Sequence, residues 1–214
     1  MPSYLQSMKK EVVSPLSLLI WIGVLAGSLN GCQQANPHQP NIDQLTQLDD
    51  SIAFKVRDLE AIPADSVSQA ARWAETNLRE LELLLSGGRV EIDKSEGYVI
   101  SEVSRTHRLL KDHASRRTSL LQGAERAHLQ LSQLADALSQ RATQDAAGTA
   151  IDSGYISENV ILEVRVSREL IQALDETIGL AQRGMHLASQ TKASNDSLQT
   201  ILRARLARAV LEDS

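Results

Sequence analysis

The sequence has little of several residue types that mark particular folds and sites. In 214 residues there are one cysteine and five prolines, and aromatic residues make up 3% of the chain. Sheet cores draw on aromatic and β-branched residues, so this composition favours helices. A single cysteine excludes an internal disulfide and a cysteine-rich zinc or iron–sulfur site.

Motifs that carry catalysis or nucleic-acid binding are also missing. The chain has no Gly-x-Ser-x-Gly nucleophile motif and no glycine-rich phosphate loop. Its net charge is −5, and basic residues do not alternate with aromatic ones. We therefore predict that the protein is not an enzyme and has no nucleic-acid partner.

What the chain does have is apolar residues at helical spacing. Hydrophobic residues are 42% of the chain and charged residues 23%, which suits one globular unit. Steps of three or four predict a first helix over residues 42–60, ended by Pro63. A second helix is predicted through Leu85, with Asp65 and Ser66 as capping residues and Gly87-Gly88 as its stop. Residues 89–93 are predicted to form a loop.

The second half of the chain predicts longer helices. One is expected over residues 97–141, with a break allowed between residues 115 and 124 because of Arg117 and Gly123. After a loop at residues 143–153, the spacing from Val160 to Ala188 forms a heptad seam, as in a coiled coil. Ser194 or Asn195 is the predicted cap of a last helix. The predicted fold is all-α, an elongated antiparallel helical bundle of four to five helices over residues 42–214.

A short cassette occurs twice. Ile92-Asp93 precedes Gly97-Tyr98, and Ile151-Asp152 precedes Gly154-Tyr155, each at the start of a predicted long helix. Two interpretations stay open at this point: duplication of a helical unit, or helix-start chemistry that occurs twice.

The first 31 residues differ from the rest. Lys9 and Lys10 precede an uncharged apolar run over residues 15–29, about the length of a signal-peptide core. The run ends in Leu29-Asn30-Gly31-Cys32. This segment resembles a bacterial lipoprotein precursor, whose lipobox has an aliphatic residue three places before the cysteine and small residues between. Leu29, Gly31 and Cys32 match that pattern, and Asn30 departs from it.

The resemblance implies a processed and anchored protein. Cleavage after Gly31 would remove residues 1–31, and Cys32 would carry covalent lipid, including palmitate, with no other cofactor. Residues 32–41 would be the lipidated N-terminus and a flexible linker with two prolines. In Gram-negative members, Gln33 after the cysteine favours the periplasmic face of the outer membrane. The membrane would then be one partner, through the lipid.

Two sets of residues are candidate metal ligands. Glu125 and His128 have the Glu-x-x-His spacing that places both side chains on one helical face, although no second such motif exists. A turn near residues 148–150 would place His113 beside Met185 and His186, where imidazole and thioether suit a soft metal. The alternative for each set is ordinary helix-surface or interface packing.

A basic stretch is the last candidate. Residues 103–126 carry six basic and two acidic side chains, a net charge of +4. Its side chains suit an anionic partner, or they pack against the acidic first two helices. The candidate contact residues are Arg105, Arg108, Lys111, Arg116 and Arg117.

Together these observations predict a lipid-anchored periplasmic helical bundle with a structural or protein-interaction role in the cell envelope. Its partner would be another envelope protein or a second copy of the chain. The alternative is a periplasmic metal or ligand sensor that uses the histidines of the bundle.

Overall fold

The computed structural model describes residues 36–145 and 148–212. They form five helices, which confirms the predicted all-α bundle. Within those ranges the one strand-like contact is an isolated bridge between Gln144 and Ala150. The predicted signal peptide, residues 1–31, lies outside the described residues. The helices are α1 (Gln39–Glu60), α2 (Ala64–Leu85), α3 (Lys94–Leu110), α4 (His113–Ser139) and α5 (Ser153–Glu212).

The longest helix organises the other four. Helix α5 has 60 residues and is therefore about 90 Å long at 1.5 Å per residue. Helices α1 and α2 follow one another along α5 in its own direction, and α3 and α4 return in the opposite direction, as the residue pairs between these helices and α5 show. A salt bridge between Lys55 Nζ and Asp175 Oδ1, at 2.7 Å, joins α1 to α5. The described bundle therefore has three helices in nearly every cross-section.

Proline sets the first two helix boundaries. Helix α1 begins at Gln39, three residues before the predicted start, with Pro40 in its first turn; proline suits that position because the first N–H groups of a helix lack partners. Residues 39–41 therefore belong to the helix and not to the linker. Pro63 is the N-cap of α2, and no side chain caps that helix. The prediction that Asp65 and Ser66 cap it is wrong, because both lie inside the first turn.

The long helix predicted over residues 97–141 is interrupted. Helix α3 ends at Leu110 and α4 begins at His113, so the predicted break window of residues 115–124 is wrong. Gly123 continues the helix, and a Cβ built on it would lie 3.5 Å from Leu170 Cδ1, an ordinary contact. The break lies instead between Leu110 and His113. Before it, α3 packs mainly on α2 and α5; after it, α4 packs mainly on α1 and α5.

No helix begins at Ser194 or Asn195, because α5 continues through both residues to Glu212. Asn195 is fully buried, and its side chain bonds to another helix instead of capping its own. A polar residue that reads as a cap in the sequence therefore belongs to the interior of the bundle.

The repeated cassette does start two helices. Asp93 Oδ1 accepts a hydrogen bond from the backbone N–H of Glu96 at 2.9 Å, and Glu96 Oε2 accepts one from the N–H of Asp93 at 2.9 Å. This reciprocal pair is a capping box. Asp152 Oδ1 accepts from the N–H of Tyr155 at 2.8 Å at the start of α5. Both copies of the cassette therefore provide a capping aspartate at a helix start.

The core changes character along α5. The half with α1 and α4 contains a large cluster of leucine, isoleucine and valine side chains, including Leu45, Ile52, Leu131 and Leu174. The half with α2 and α3 has smaller apolar clusters. Most of the buried polar side chains lie in this second half or at its border: Glu96, Thr106, His113, Thr177, Thr191, Asn195 and Gln199.

Candidate functional site

The lipobox residues Gly31 and Cys32 lie outside the described residues. The first described residue, Asn36, is tied to the bundle: its side-chain Nδ2 donates to the backbone oxygen of Leu138 at 3.0 Å. In the ranges that the structure describes, no helix is both long enough and apolar enough to cross a membrane.

In the Glu-x-x-His motif, His128 pairs with Asp49 and not with Glu125. His128 Nδ1 lies 2.8 and 2.9 Å from the two carboxylate oxygens of Asp49 on α1, while Glu125 is exposed. The His128 side chain is 65% exposed, so the contact is a surface pair worth at most about 1 kcal/mol. Across residues 36–145 and 148–212, no three His, Cys, Asp or Glu side chains are grouped so that they could hold a metal ion.

His113 shares heptad positions with Leu120 and Leu134, which predicts that it faces inward. It is buried in the structure, but with neighbours other than those predicted. The turn predicted near residues 148–150 would place Leu110 opposite Ala188 on the returning helix. In the structure Leu110 packs on Gly184 instead. This shift of four residues is about one helical turn and moves His186 along α5, away from His113. His186 is exposed and Met185 is half-buried. The structure therefore does not support a shared site of His113 with His186.

His113 instead borders a pocket between α2 and the junction of α3 with α4. The pocket has a volume of about 370 Å³. Its apolar floor includes Val67 and Leu110. Its polar lining includes Arg72 and Glu75 from α2, and His107, Lys111 and His113 from the junction.

Two side chains near this junction have buried polar atoms without hydrogen-bond partners. They are His113, through Nε2, and Arg117, through Nη1. His113 is 6% exposed. Burial lowers the pKa of His113 below its ordinary value, and the positive charge of Arg117 lowers it further. His113 is therefore a neutral imidazole at neutral pH, one turn from a guanidinium.

The other members of the basic stretch are solvent-exposed. Arg105 lies 3.9 Å from Glu102 on its own helix, and Arg116 lies 3.9 Å from Glu176 on α5. The sequence alternative was that the basic stretch packs against the acidic helices α1 and α2. Neither Glu102 nor Glu176 belongs to those two helices. Arg108 and Lys111 are exposed on either side of Leu110.

A polar network deeper in the bundle is absent from the sequence predictions. Asn77 Oδ1 on α2 accepts hydrogen bonds from Asn195 Nδ2 at 2.6 Å and from Gln199 Nε2 at 2.8 Å, both on α5. Next to it, Arg203 binds the carboxylate of Glu80. Asn195 and Gln199 are four residues apart and so lie on one face of α5. That spacing is the feature of the sequence that could have indicated a shared polar partner.

A second ion pair closes the end of the bundle where α3 begins. Arg205 Nη1 and Nη2 each lie 2.9 Å from a carboxylate oxygen of Glu96. The hydrogen bond from Arg205, followed by the backbone N–H of Asp93, holds the pKa of Glu96 below its ordinary value. The capping glutamate of α3 is thereby fixed to α5.

Comparison of the chain with protein-family models, with curated proteins and with solved structures gives no significant match.

Proposed function

We propose that the protein is a lipid-anchored component of the bacterial cell envelope, held by lipid on Cys32, with a structural or protein-interaction role. The observation that carries the proposal is the apolar run over residues 15–29 ending in Leu29-Asn30-Gly31-Cys32, with the chain's one cysteine at the cleavage point. Two or more acyl chains on that cysteine would give stable membrane attachment.

A lipid on Cys32 would lie close in the chain to the start of the bundle. Three residues separate Cys32 from Asn36, whose side chain is bonded to the end of α4. A fully extended chain of that length spans about 14 Å. In an anchored protein the lipid would therefore attach close to the end of the bundle where α1 begins. With α5 about 90 Å long, an upright bundle would place its opposite end far from the membrane.

That opposite end carries exposed apolar side chains. It is formed by the end of α2, the start of α3 and the end of α5. The ion pair between Glu96 and Arg205 joins α3 to α5 there. A contiguous patch of exposed apolar side chains is typical of protein contacts, whereas single ones are common on any surface, as Phe54 and Ile161 are in the other half of the bundle. We propose that those at this end form a contact surface. They are Leu83, Ile92, Tyr98, Ile201, Val210 and Leu211, and the exposed fraction reaches 74% for Leu83 and 78% for Leu211.

Palmitate labelling tests the anchor. In a bacterial host, Cys32→Ser should abolish incorporation of labelled palmitate and move the protein out of the membrane fraction. Asn30→Ala is the matched control, because it brings the motif closer to the lipobox pattern and should label at least as well. Labelling that persists in Cys32→Ser, or membrane retention without labelling, would contradict the proposal.

Site-specific photocrosslinking in intact envelopes tests the interaction role. A photoreactive residue at Leu83 should give a crosslinked product, because that side chain is exposed at the end opposite to the anchor. Gln69, exposed near the start of the same helix, is the control and should give none. Products with a second copy would indicate self-association, and the lack of any product at Leu83, Tyr98 and Leu211 would count against the role.

A further inference from the structure

The pocket between α2 and the α3–α4 junction has the composition of an anion site. Three basic or potentially basic side chains reach it from two directions: Arg72 from α2, and His107 and Lys111 from α3 and its last turn. Glu75 is the acidic side chain in the lining, and its Oε1 is paired with Arg79 Nη2 at 2.5 Å. The pocket lining therefore includes the two cationic side chains of Arg72 and Lys111, and its one carboxylate is already paired.

The interior side of the pocket has an unpaired polar group. His113 lines the pocket, is nearly fully buried, and has no hydrogen-bond partner at Nε2. One turn further along α4, Arg117 Nη1 is also buried without a partner. A buried polar group without a partner is unfavourable, and most such groups in proteins have one. His113 therefore places an unpaired polar atom among the pocket-lining residues, and Arg117 lies close enough to His113 to act on it electrostatically.

Two helix ends adjoin the pocket: α3 ends at Leu110, and α4 begins at His113 without a side-chain cap. The partial positive charge at the start of α4 is opposed by the partial negative charge at the end of α3, so the selection of an anion depends on the side chains. The apolar floor formed by Val67 and Leu110 leaves room for a small organic body next to the charged group.

We propose that this pocket binds a small oxyanion, a phosphate or carboxylate group, through Arg72, Lys111 and His113. Arg72 and Lys111 donate charge-assisted hydrogen bonds to the anion, which are stronger than neutral ones. His113 is the interior hydrogen-bond partner, and Arg117 adds positive charge behind it. The proposal is independent of lipid attachment at Cys32.

Calorimetric titration of the full chain with inorganic phosphate, against chloride at matched ionic strength, tests the site. We expect saturable binding of phosphate and a rise in melting temperature as phosphate increases. Arg72→Gln and Lys111→Gln should each weaken phosphate binding by about tenfold, as expected for the loss of one charge-assisted hydrogen bond. Both side chains are exposed, so the variants should fold, and far-UV circular dichroism checks this.

Arg208→Gln is the matched control, because it removes the same charge from an exposed position on α5 that does not line the pocket. It should bind phosphate as the unaltered chain does. The resonance of His113 Nε2 should also shift on addition of phosphate. The absence of saturable binding, or an equal loss in Arg208→Gln, would overturn the proposal.

Vesicles distinguish the sources of the oxyanion. Binding to phosphatidylglycerol vesicles that free phosphate displaces, and that Arg72→Gln weakens, would support a lipid headgroup as the ligand. Binding of phosphate with no displaceable vesicle binding would support a soluble ligand. Vesicle binding in a chain that does not bind phosphate would overturn the pocket proposal and indicate a general surface charge effect.

Discussion

The side chain of Leu110 on α3 packs directly on the backbone of Gly184 on α5. A Cβ atom built on Gly184 would overlap it, with Leu110 Cγ at 2.5 Å. Leu110 is 1% exposed and is part of the same apolar cluster as Ala181. Glycine at this position therefore sets how closely α3 approaches α5, next to the break between α3 and α4.

Replacing this glycine should destabilise the bundle. Alanine is a better helix former than glycine by up to about 1 kcal/mol, but overpacking a filled interior costs about 1–3 kcal/mol. We expect Gly184→Ala to lower the free energy of unfolding, measured by urea denaturation. Gly97→Ala is the control, because a Cβ there meets no atom within 4 Å, and it should leave stability unchanged or raise it. A stabilised Gly184→Ala would contradict the close approach.

The amide network should also show in unfolding experiments. Asn77→Ala removes the acceptor shared by Asn195 and Gln199 and leaves their buried amide groups unpaired, at a cost of about 1–3 kcal/mol. Asn159→Ala is a matched control on α5, since Asn159 Nδ2 bonds only within its own helix, to the backbone oxygen of Tyr155 at 2.8 Å. Equal losses in the two variants would mean that the network between helices contributes nothing beyond a local contact.

His113 should make stability fall in mild acid. Its folded-state pKa is lowered from 6.5, first by burial and then by Arg117, so the unfolded chain binds more protons than the folded chain just below pH 6.5. Stability is therefore lost as the pH falls from 6.5 through the folded-state pKa. The pocket next to His113 is also lined by four other charged or titratable side chains, which are unchanged in the variants compared: Arg72, Glu75, His107 and Lys111.

The measurement is melting temperature between pH 7.5 and pH 5 in a buffer without phosphate. His113→Leu should flatten the fall in melting temperature over this interval. His186→Leu, at an exposed position on α5, should retain the fall. If the two variants behave alike, burial of His113 does not control the pH dependence.

Glu163 should have the opposite effect on stability. Burial raises its folded-state pKa above 4.5, so its stabilising protonated form is lost as the pH rises through that pKa. Glu163→Gln should therefore raise the free energy of unfolding at pH 7, and the gain should vanish below pH 4.5. Glu169→Gln, at an exposed position on the same helix, should change stability by less than about 0.5 kcal/mol. A gain at Glu169 as large as at Glu163 would exclude burial as the cause.

Helices and their buried faces were predictable from the sequence, because each depends on residues three or four positions apart. Leu45, Leu48, Ile52 and Leu59 of the first predicted helix are buried, while Val56 of the same stripe is half-buried. Most of the heptad seam from Val160 to Ala188 is also buried. Inward-facing His113 followed from the same periodicity. Helix starts at Asp93 and Asp152 were also local, since a cap bonds to its own first turn.

The sequence by itself determined an all-α bundle with a long heptad helix, because helical periodicity is a local property. The tertiary structure decided the register between helices, and that register separates His113 from His186, pairs Asn195 with Asn77, and forms the pocket with Arg72 and Lys111. A shift of one turn conserves every apolar stripe, so the sequence pattern does not distinguish the registers. The close contact of Leu110 with Gly184 does distinguish them, because only glycine leaves room for it.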